Sequence, residues 1–407
     1  MTTVLLALDK FKGSLTAAEA CAALERGLLH GRPSGEHLGT ARTRLRVLTV
    51  PVADGGDGTV DAALAAGFSP LEVTVAGPLG EPRTARIARR ADVAVVELAE
   101  CCGLQHVEEP SAETHARAST RGLGEALAAA IADGAGEVVV GIGGSASTDL
   151  GLGMLAALGA SLKDDDGRPL PEGACGLRQL ASADLAEARK AVQEVALTLA
   201  SDVTAPLTGP QGAAHVFAAQ KGADEDTLEE LDADLAQAAG VLLDGVLLDA
   251  ASAGLATRPG AGAAGGTGLA FMLLGAQTRS GAEVLLDMAD FDQTAAEADV
   301  LVVGEGSLDA QSLQGKAPAV AAERARTVWA QGAGDSSRTG RTVLAVAGRA
   351  DLSPADLSEA GIDHVLTLRE RAASDEDSIV RAAELLEDLG RDLARELDRD
   401  PAPTLEP

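Results

Sequence analysis

Aromatic side chains are nearly missing from this chain of 407 residues: five Phe, one Trp and no Tyr. Its cores must therefore be built from Ala, Leu and Val. Cysteine is scarce too, at positions 21, 101, 102 and 175, with no C-x-x-C spacing. That pattern speaks against a zinc site, and a disulfide framework is out of place in a chain this long. Buried free thiols in a reducing cytosol are the expected state. The six histidines, at 30, 37, 106, 115, 215 and 364, show no ligand spacing, and only His215, in a glycine-bearing segment, is a candidate for a role. No apolar stretch reaches the roughly 18 residues of a membrane span. The chain opens directly on an apolar run at 4–8, without a basic segment, a long apolar stretch or a cleavage site. A cytoplasmic location is the expectation. Positive charge is in short supply: 33 Lys and Arg against 62 Asp and Glu leave a net charge of −29. A nucleic-acid partner is disfavoured, because such binding depends on neutralising phosphates, and so is an anionic membrane surface.

What is present is 46% apolar residues over a length that suits two domains. Short apolar runs at 4–8 and 45–50 alternate with helical periodicity at 16–29 and 59–66. Thr16, with Glu19 three residues on, has the pattern of a capping box. This alternation predicts a parallel sheet with helical crossovers. Between 71 and 98 the rhythm changes to three closely spaced strands, at 71–76, 84–88 and 93–98, which suggests a different, mixed sheet. Helices are expected at 120–132, 151–158, 224–239 and 264–274, and strands at 137–141 and 195–200. From 299 the opening rhythm returns: strands at 300–303, 342–347 and 364–368, a helix at 317–329 and a long closing helix at 377–397. The expected architecture is α/β with two domains. One is a Rossmann-like parallel-sheet domain formed by both chain ends, 1–74 and 281–407. The other is an inserted mixed-sheet α/β domain, 75–280. The stretch 332–340 reads as a surface turn and 399–407 as a Pro-rich end.

Five loops place Gly, Asp, Lys and hydroxyl residues where a core would put apolar ones. They are Asp9-Lys10-Phe11-Lys12-Gly13-Ser14, Ala53-Asp54-Gly55-Gly56-Asp57-Gly58-Thr59, Gly141-Ile142-Gly143-Gly144-Ser145-Ala146-Ser147-Thr148-Asp149, Ser201-Asp202-Val203-Thr204-Ala205-Pro206-Leu207-Thr208-Gly209-Pro210, and Gly304-Glu305-Gly306-Ser307-Leu308-Asp309. Glycine lets backbone N–H groups approach a ligand, consecutive N–H groups cradle anions, carboxylates hold Mg²⁺, and lysines neutralise phosphate. The set points to an enzyme for a phosphorylated substrate. Two other motifs mislead. Gly260-Ala261-Gly262-Ala263-Ala264-Gly265 matches G-x-G-x-x-G, but 255–259 is a poor strand, so a dinucleotide fingerprint lacks its context. That segment reads instead as backbone N–H groups at a helix N-terminus, able to hold a carboxylate or phosphate, or as tight packing of small residues. Gln314-Gly315-Lys316-Ala317 resembles the end of a P-loop but lacks its first Gly and its Ser or Thr.

The order of these loops, with Pro259-Gly260-Ala261-Gly262-Ala263-Ala264-Gly265-Gly266 and Gly315-Lys316-Ala317-Pro318, resembles the bacterial glycerate kinase family, the type that makes 2-phosphoglycerate. The resemblance runs from residue 3 to about 385. Family members often carry Ser or Ala at Lys10 and Asn at Ala205, and 332–340 has the look of an insertion. The resemblance implies ATP-dependent phosphorylation of D-glycerate with Mg²⁺, in a cleft between two α/β domains. No nucleic acid or membrane is implied, and a homodimer is left open. On this reading Lys12, with the Gly13 and Ser14 backbone, binds an anionic group, Asp54, Gly55 and Gly56 contact substrate or phosphate, and Asp54 and Asp57 serve a metal or orient a hydroxyl. Gly143, Gly144 and Ser145 receive phosphate, as do Gly262 and Gly265. Asp202 and Asp309 are candidates for activating the hydroxyl or holding Mg²⁺, and Lys316 for neutralising the transferring group. A dehydrogenase built on the Gly260 motif, a non-catalytic sensor on the same fold and a kinase for another hydroxy acid are the competing readings.

Overall fold

The computed structural model describes residues 1–30, 45–53, 56–245, 254–310, 312, 313, 315–331 and 340–399. Asp54, Gly55, the 332–339 part of the expected surface turn and the end from 400 lie outside the described residues. The chain divides into two compact units. The first takes Met1–Asp54, Asp61–Ala66 and Gly281–Pro407, and the second Gly55–Val60 and Gly67–Ser280.

The first unit is built on a parallel sheet of β1 (Thr2–Leu8), β2 (Leu45–Thr49), β11 (Val300–Leu308), β12 (Thr342–Ala350) and β13 (His364–Thr367). Their order is β13-β12-β11-β1-β2. Strand β1 lies inside the sheet, with Val4 opposite Val300 on one side and Val47 on the other. Its residues are buried because both faces of the sheet are covered, which is why the run 4–8 is apolar without alternation. Leu5 and Ala7 face a core with Leu286, Phe291, Ala322 and Trp329, while Val4, Leu6 and Leu8 face one with Leu24, Leu28, Leu386 and Leu393. The two faces are thus covered by different helices: Gly281–Met288, Phe291–Glu297 and Ala317–Gln331 on one, Ala17–His30 and Ala382–Arg399 on the other. With so few aromatic residues, packing relies on small ones. A Cβ on Gly27 would stand 2.1 Å from the Glu387 carbonyl oxygen, so the helices Ala17–His30 and Ala382–Arg399 touch backbone to backbone.

The second unit holds a six-stranded sheet made of β3 (Ser69–Ala76), β4 (Pro82–Arg90), β5 (Val93–Glu97), β6 (Glu137–Gly141), β9 (Ala196–Ala200) and β10 (Gln277–Arg279). Their order is β10-β9-β6-β5-β4-β3. Strands β3, β4 and β5 form an antiparallel meander, as their close spacing suggests, and β5, β6, β9 and β10 run parallel. A short antiparallel pair, β7 (Ser161–Lys163) with β8 (Ser182–Asp184), stands apart. The mixed sheet and the parallel sheet agree with the expected α/β class.

Several element ends differ from expectation, each for a local reason. The closing helix breaks in two, Asp375–Val380 and Ala382–Arg399, at Arg381, whose guanidinium bonds Asp377 in the first piece and Glu384 in the second. The helix expected from 264 starts at Thr267, because Gly265 and Gly266 hold φ of 68° and 93°. The polar helix expected at 224–239 begins with a tight turn capped by Asp224 and continues as Leu228–Gly245. Strands β7, β8 and β10 are three residues long, too short for periodicity to reveal.

Candidate active site

In the first unit the chain crosses to β2 on one side of β1 and to β12 and β13 on the other side of β11. Ligands of open parallel sheets sit outside the strand C-termini where the order reverses in this way. The loops leaving β1 and β11 lie together there. The Asp9 N–H donates to Gly304 O at 2.8 Å, and a Cβ on Gly306 would stand 3.1 Å from the Lys12 nitrogen. The β1 loop is a tight turn in which the Ser14 and Leu15 N–H groups both donate to Phe11 O, which leaves Lys12 exposed at its tip. Ser14 departs from its expected role: its N–H is spent on Phe11, and its hydroxyl donates to Ile379 O at 2.7 Å. The start of the following helix is also filled, by its own capping box. Glu19 accepts from the Thr16 N–H, and Thr16 Oγ1 accepts from the Glu19 N–H. An anion held by this loop therefore meets the Lys12 charge and not a helix end.

Strand β11 leads directly into Asp309, whose carboxylate accepts the Ser312 N–H at 3.2 Å. The Ser312 hydroxyl donates to Ser307 O at 3.2 Å, and the Ser307 hydroxyl accepts from Arg349 Nε at 3.0 Å. Lys316 is half-buried one residue before the helix Ala317–Gln331, behind Gly315 at a φ of 86°. The structure thus brings Lys12 beside Gly306 at the C-terminal edge of one sheet, with Asp309 just past the strand that carries Gly306 and Lys316 seven residues on.

In the second unit the loops after β5, β6 and β9 leave the same sheet edge, since these strands are parallel. The loop after β6 carries Gly143, Gly144 and Ser145, whose N–H groups donate to no protein acceptor among the described residues. Its carbonyls and flanks are tied down: Leu104 N–H donates to Gly144 O, and Ala146 N–H to Cys102 O. Gly56 and Asp57 press against it. A Cβ on Gly143 would stand 2.3 Å from Gly56 Cα, and one on Gly144, at a φ of 68°, 2.1 Å from Asp57 Oδ1. Glu97, 4% exposed, clamps the Asp57 loop by accepting from the Gly58 N–H at 2.9 Å and the Val60 N–H at 2.8 Å. Burial pushes its carboxyl up to about 7, against the pull of those two N–H donors.

Asp202 is half-buried two residues after β9. The Gly260 segment packs on this loop. The Gly262 N–H donates to Ala205 O at 3.0 Å, and a Cβ on Gly262 would stand 2.1 Å from Pro206 O. A Cβ on Gly265 would stand 2.3 Å from Ser147 O. The Thr267 and Gly268 N–H groups donate to Ala264 O and Ala263 O. Gly262 and Gly265 let the 143–149 and 202–207 loops approach this segment, and the helix start has no N–H to spare at Thr267 or Gly268. A tight turn at Leu255–Thr257, with no strand, precedes the motif, so it lacks the context of a dinucleotide fingerprint.

Beneath the β6 loop lies a buried polar layer in which the end of that motif, Ser145 to Asp149, meets Thr120, His115 and Lys221 from outside every motif. Asp149, fully buried, accepts from the Thr120 N–H and hydroxyl at 2.8 Å each, from Gly151 N–H at 3.1 Å and from Gly153 N–H at 3.3 Å. Burial raises its carboxyl above the usual range, and the four donors oppose that. Lys221 Nζ donates to Ser147 O at 2.6 Å and to Ser145 Oγ at 3.4 Å. His115 Nε2 is 3.1 Å from Thr148 Oγ1, and burial, then the Lys221 charge, hold the imidazole down at about 4. Glu97 had a usable signal, a carboxylate directly continuing the apolar run of β5. Lys221, in an alanine-rich stretch, had none. His215 lies 3.9 Å from Glu229 Oε1.

Among the described residues no group of three or more His, Cys, Asp or Glu side chains is arranged to hold a metal. No helix is long and apolar enough to cross a membrane among those residues.

A family model described as "Glycerate kinase family" matches residues 4–398. The chain belongs to the glycerate kinase family. It is thereby a kinase. It is 35% identical over 399 residues to the glycerate kinase of Bacillus subtilis, covering 96% of each chain. It is 36% identical over 319 residues to the glycerate 2-kinase of Escherichia coli, covering 77% of this chain and 80% of that one. A solved structure of a glycerate kinase 2 from Salmonella typhimurium LT2 superposes with a TM-score of 0.77 at 31% identity, covering 98% of this chain and 99% of that one. Family membership and the matching fold extend over nearly the whole chain, so they take in the loops described in each unit.

Proposed function

We propose that this member of the glycerate kinase family transfers the γ-phosphoryl group of ATP to the 2-hydroxyl of D-glycerate. The observation that carries the reading is the β6 loop: three consecutive N–H groups at Gly143, Gly144 and Ser145 without a protein acceptor among the described residues, at a strand C-terminus and against Gly56 and Asp57. Such a row of donors is suited to phosphate oxygens. The relative named glycerate 2-kinase supports the choice of hydroxyl.

In this reaction the substrate O2 attacks the γ-phosphorus, the bond to the β–γ bridging oxygen breaks, and ADP leaves with that electron pair. In the second unit, Asp202 accepts the hydroxyl proton and the 143–145 N–H groups bind phosphate oxygens. In the first unit, Lys12 and Lys316 are cations of the kind that neutralise anionic groups. Mg²⁺ chemistry agrees with the donor set, since this ion keeps several waters and takes one or two carboxylates beside substrate phosphates. Asp57, beside the 143–145 loop in the second unit, offers one such carboxylate. When bound, Mg²⁺ would neutralise phosphate charge.

The test is incubation with Mg·ATP and D-glycerate, with 2- and 3-phosphoglycerate resolved by ³¹P NMR. A 2-phosphoglycerate signal is expected. A 3-phosphoglycerate signal overturns the regiochemistry, and no product from folded protein overturns the substrate. Asp202→Asn should lower kcat by about 100-fold or more while ATP still binds, and near-normal turnover would remove Asp202 from the base role.

A further inference from the structure

Lys221 is the cation that the site described above leaves least explained. It is 4% exposed and lies in the second unit. It closes a tight turn, Ala219–Lys221, directly after a π-helical turn, Ala214–Ala218. Such wide turns are frequent at functional sites. Burying an ammonium is costly unless it gains strong bonds. Here the bonds it gains are to the Ser147 carbonyl at 2.6 Å and the Ser145 hydroxyl at 3.4 Å. The Ser145 hydroxyl in turn accepts from the Ser147 N–H at 3.2 Å. The ammonium is therefore bonded to the loop whose Gly143, Gly144 and Ser145 N–H groups remain without protein acceptors among the described residues.

We propose that Lys221 is a positioning residue: its buried ammonium fixes the 143–149 loop through Ser145 and Ser147, and so aims the Gly143, Gly144 and Ser145 N–H groups at phosphate. This rests on the phosphoryl-transfer reading given above. The charge matters as well as the shape, because a carbonyl held by an ammonium is held by a charge-assisted bond. Burial brings the Lys221 ammonium down to about 8, and neighbouring Asp149 and Cys102 pull the other way. The titratable groups facing it are Asp149 on the loop, Cys102 on the helix Leu98–Cys102 and His115 on the helix Ala112–Arg117. Cys102 is pushed up to about 12 and His115 down to about 4, so neither changes charge near pH 8. Asp149 is raised by burial, and its four donors oppose that. Raising the pH through about 8 removes the Lys221 proton, and activity falls with it.

The experiment compares wild-type protein, Lys221→Met and Lys221→Ala. Turnover with ATP and D-glycerate is followed across the alkaline range. Hydrogen exchange is measured on the peptide 141–150. Lys221→Met should lose about ten- to a hundredfold in kcat/KM for ATP, the range of a buried bond to a charged group. It should also lose the wild-type alkaline limb and exchange faster at 143–149. Ethylamine should restore part of the Lys221→Ala activity, and propanol none. Equal rescue by propanol would mean that the side chain only fills volume, and would overturn the proposal, as would wild-type exchange and kcat/KM in Lys221→Met. If neither variant folds, wild-type exchange at 143–149, corrected for the intrinsic pH effect, must accelerate above about pH 8, and a flat response refutes the role. If wild-type protein does not phosphorylate glycerate, the proposed reaction fails, and the exchange comparison alone decides Lys221.

Discussion

Replacing Gly143 with alanine tests the β6 loop at one atom. The residue does not hold a positive φ, so an alanine fits its backbone conformation and only space is at issue. The added Cβ would stand 2.3 Å from Gly56 Cα, 2.9 Å from Gly56 C and 3.1 Å from the Asp57 nitrogen. All three are backbone atoms, so no side chain can rotate away. Reaching ordinary van der Waals contact at 3.4 Å takes a movement of about 1 Å between the 56–58 turn and the 143–145 loop. A misplacement of that size in a positioning element costs about 100-fold in rate. Overpacking on this scale also costs about 1–3 kcal/mol of stability, so the assay belongs well below the unfolding transition. Steady-state kinase turnover should show kcat/KM down by about 100-fold, with the protein folded by circular dichroism. Wild-type kcat/KM, together with a crystal structure showing Gly56 displaced, would refute the claim that this contact sets the site.

Three further outcomes follow from the same geometry. The Glu97 carboxyl sits at about 7 in the folded protein against 4.5 as its ordinary value, so the folded state holds an extra proton between those limits. Its contribution to stability is therefore present at low pH and lost as pH rises through about 7, by about 3 kcal/mol at roughly 1.4 kcal/mol per pH unit. In Glu97→Gln that slope should disappear from urea unfolding compared at about pH 5 and about pH 8, and an unchanged slope would count against burial as its cause. Gly27→Ala gains about 1 kcal/mol of helix propensity but drives a Cβ to 2.1 Å from the Glu387 carbonyl oxygen. A net loss of stability is expected, read from the fluorescence of Trp329 in the same unit. Gly240→Ala, inside Leu228–Gly245 with nothing within 4 Å, should instead stabilise by roughly 0.5–1 kcal/mol. Equal signs for the two glycines would defeat the distinction.

Much of the fold was legible because burial on both faces of a sheet leaves a sequence signature. The apolar run at 4–8 marked a covered parallel strand, and Thr16 with Glu19 marked the helix start that the structure shows capped. The glycine loops were legible for a similar reason: a glycine-rich stretch directly after a strand must serve a turn, a close approach or a ligand. Which of these it serves was not legible. Gly143 and Gly262 look alike in the sequence, yet the N–H of one has no protein acceptor among the described residues, and the other donates to Ala205. That difference depends on which loop the fold brings alongside, a contact between residues about 57 apart in the second case.

The chain by itself determined the α/β class, most of the strand and helix order and the loops that carry polar chemistry, because these follow from local periodicity and backbone stereochemistry. Only the tertiary structure decided that Ser14 spends its donors on Phe11 and Ile379, that Glu97 grips the Asp57 turn, and that Lys221 is buried under the Ser145–Ser147 segment. The physical reason is range. Hydrophobic patterning acts within a few residues and is written along the chain. A buried charge is set by partners that are distant in sequence, and those exist only once the sheet has ordered them.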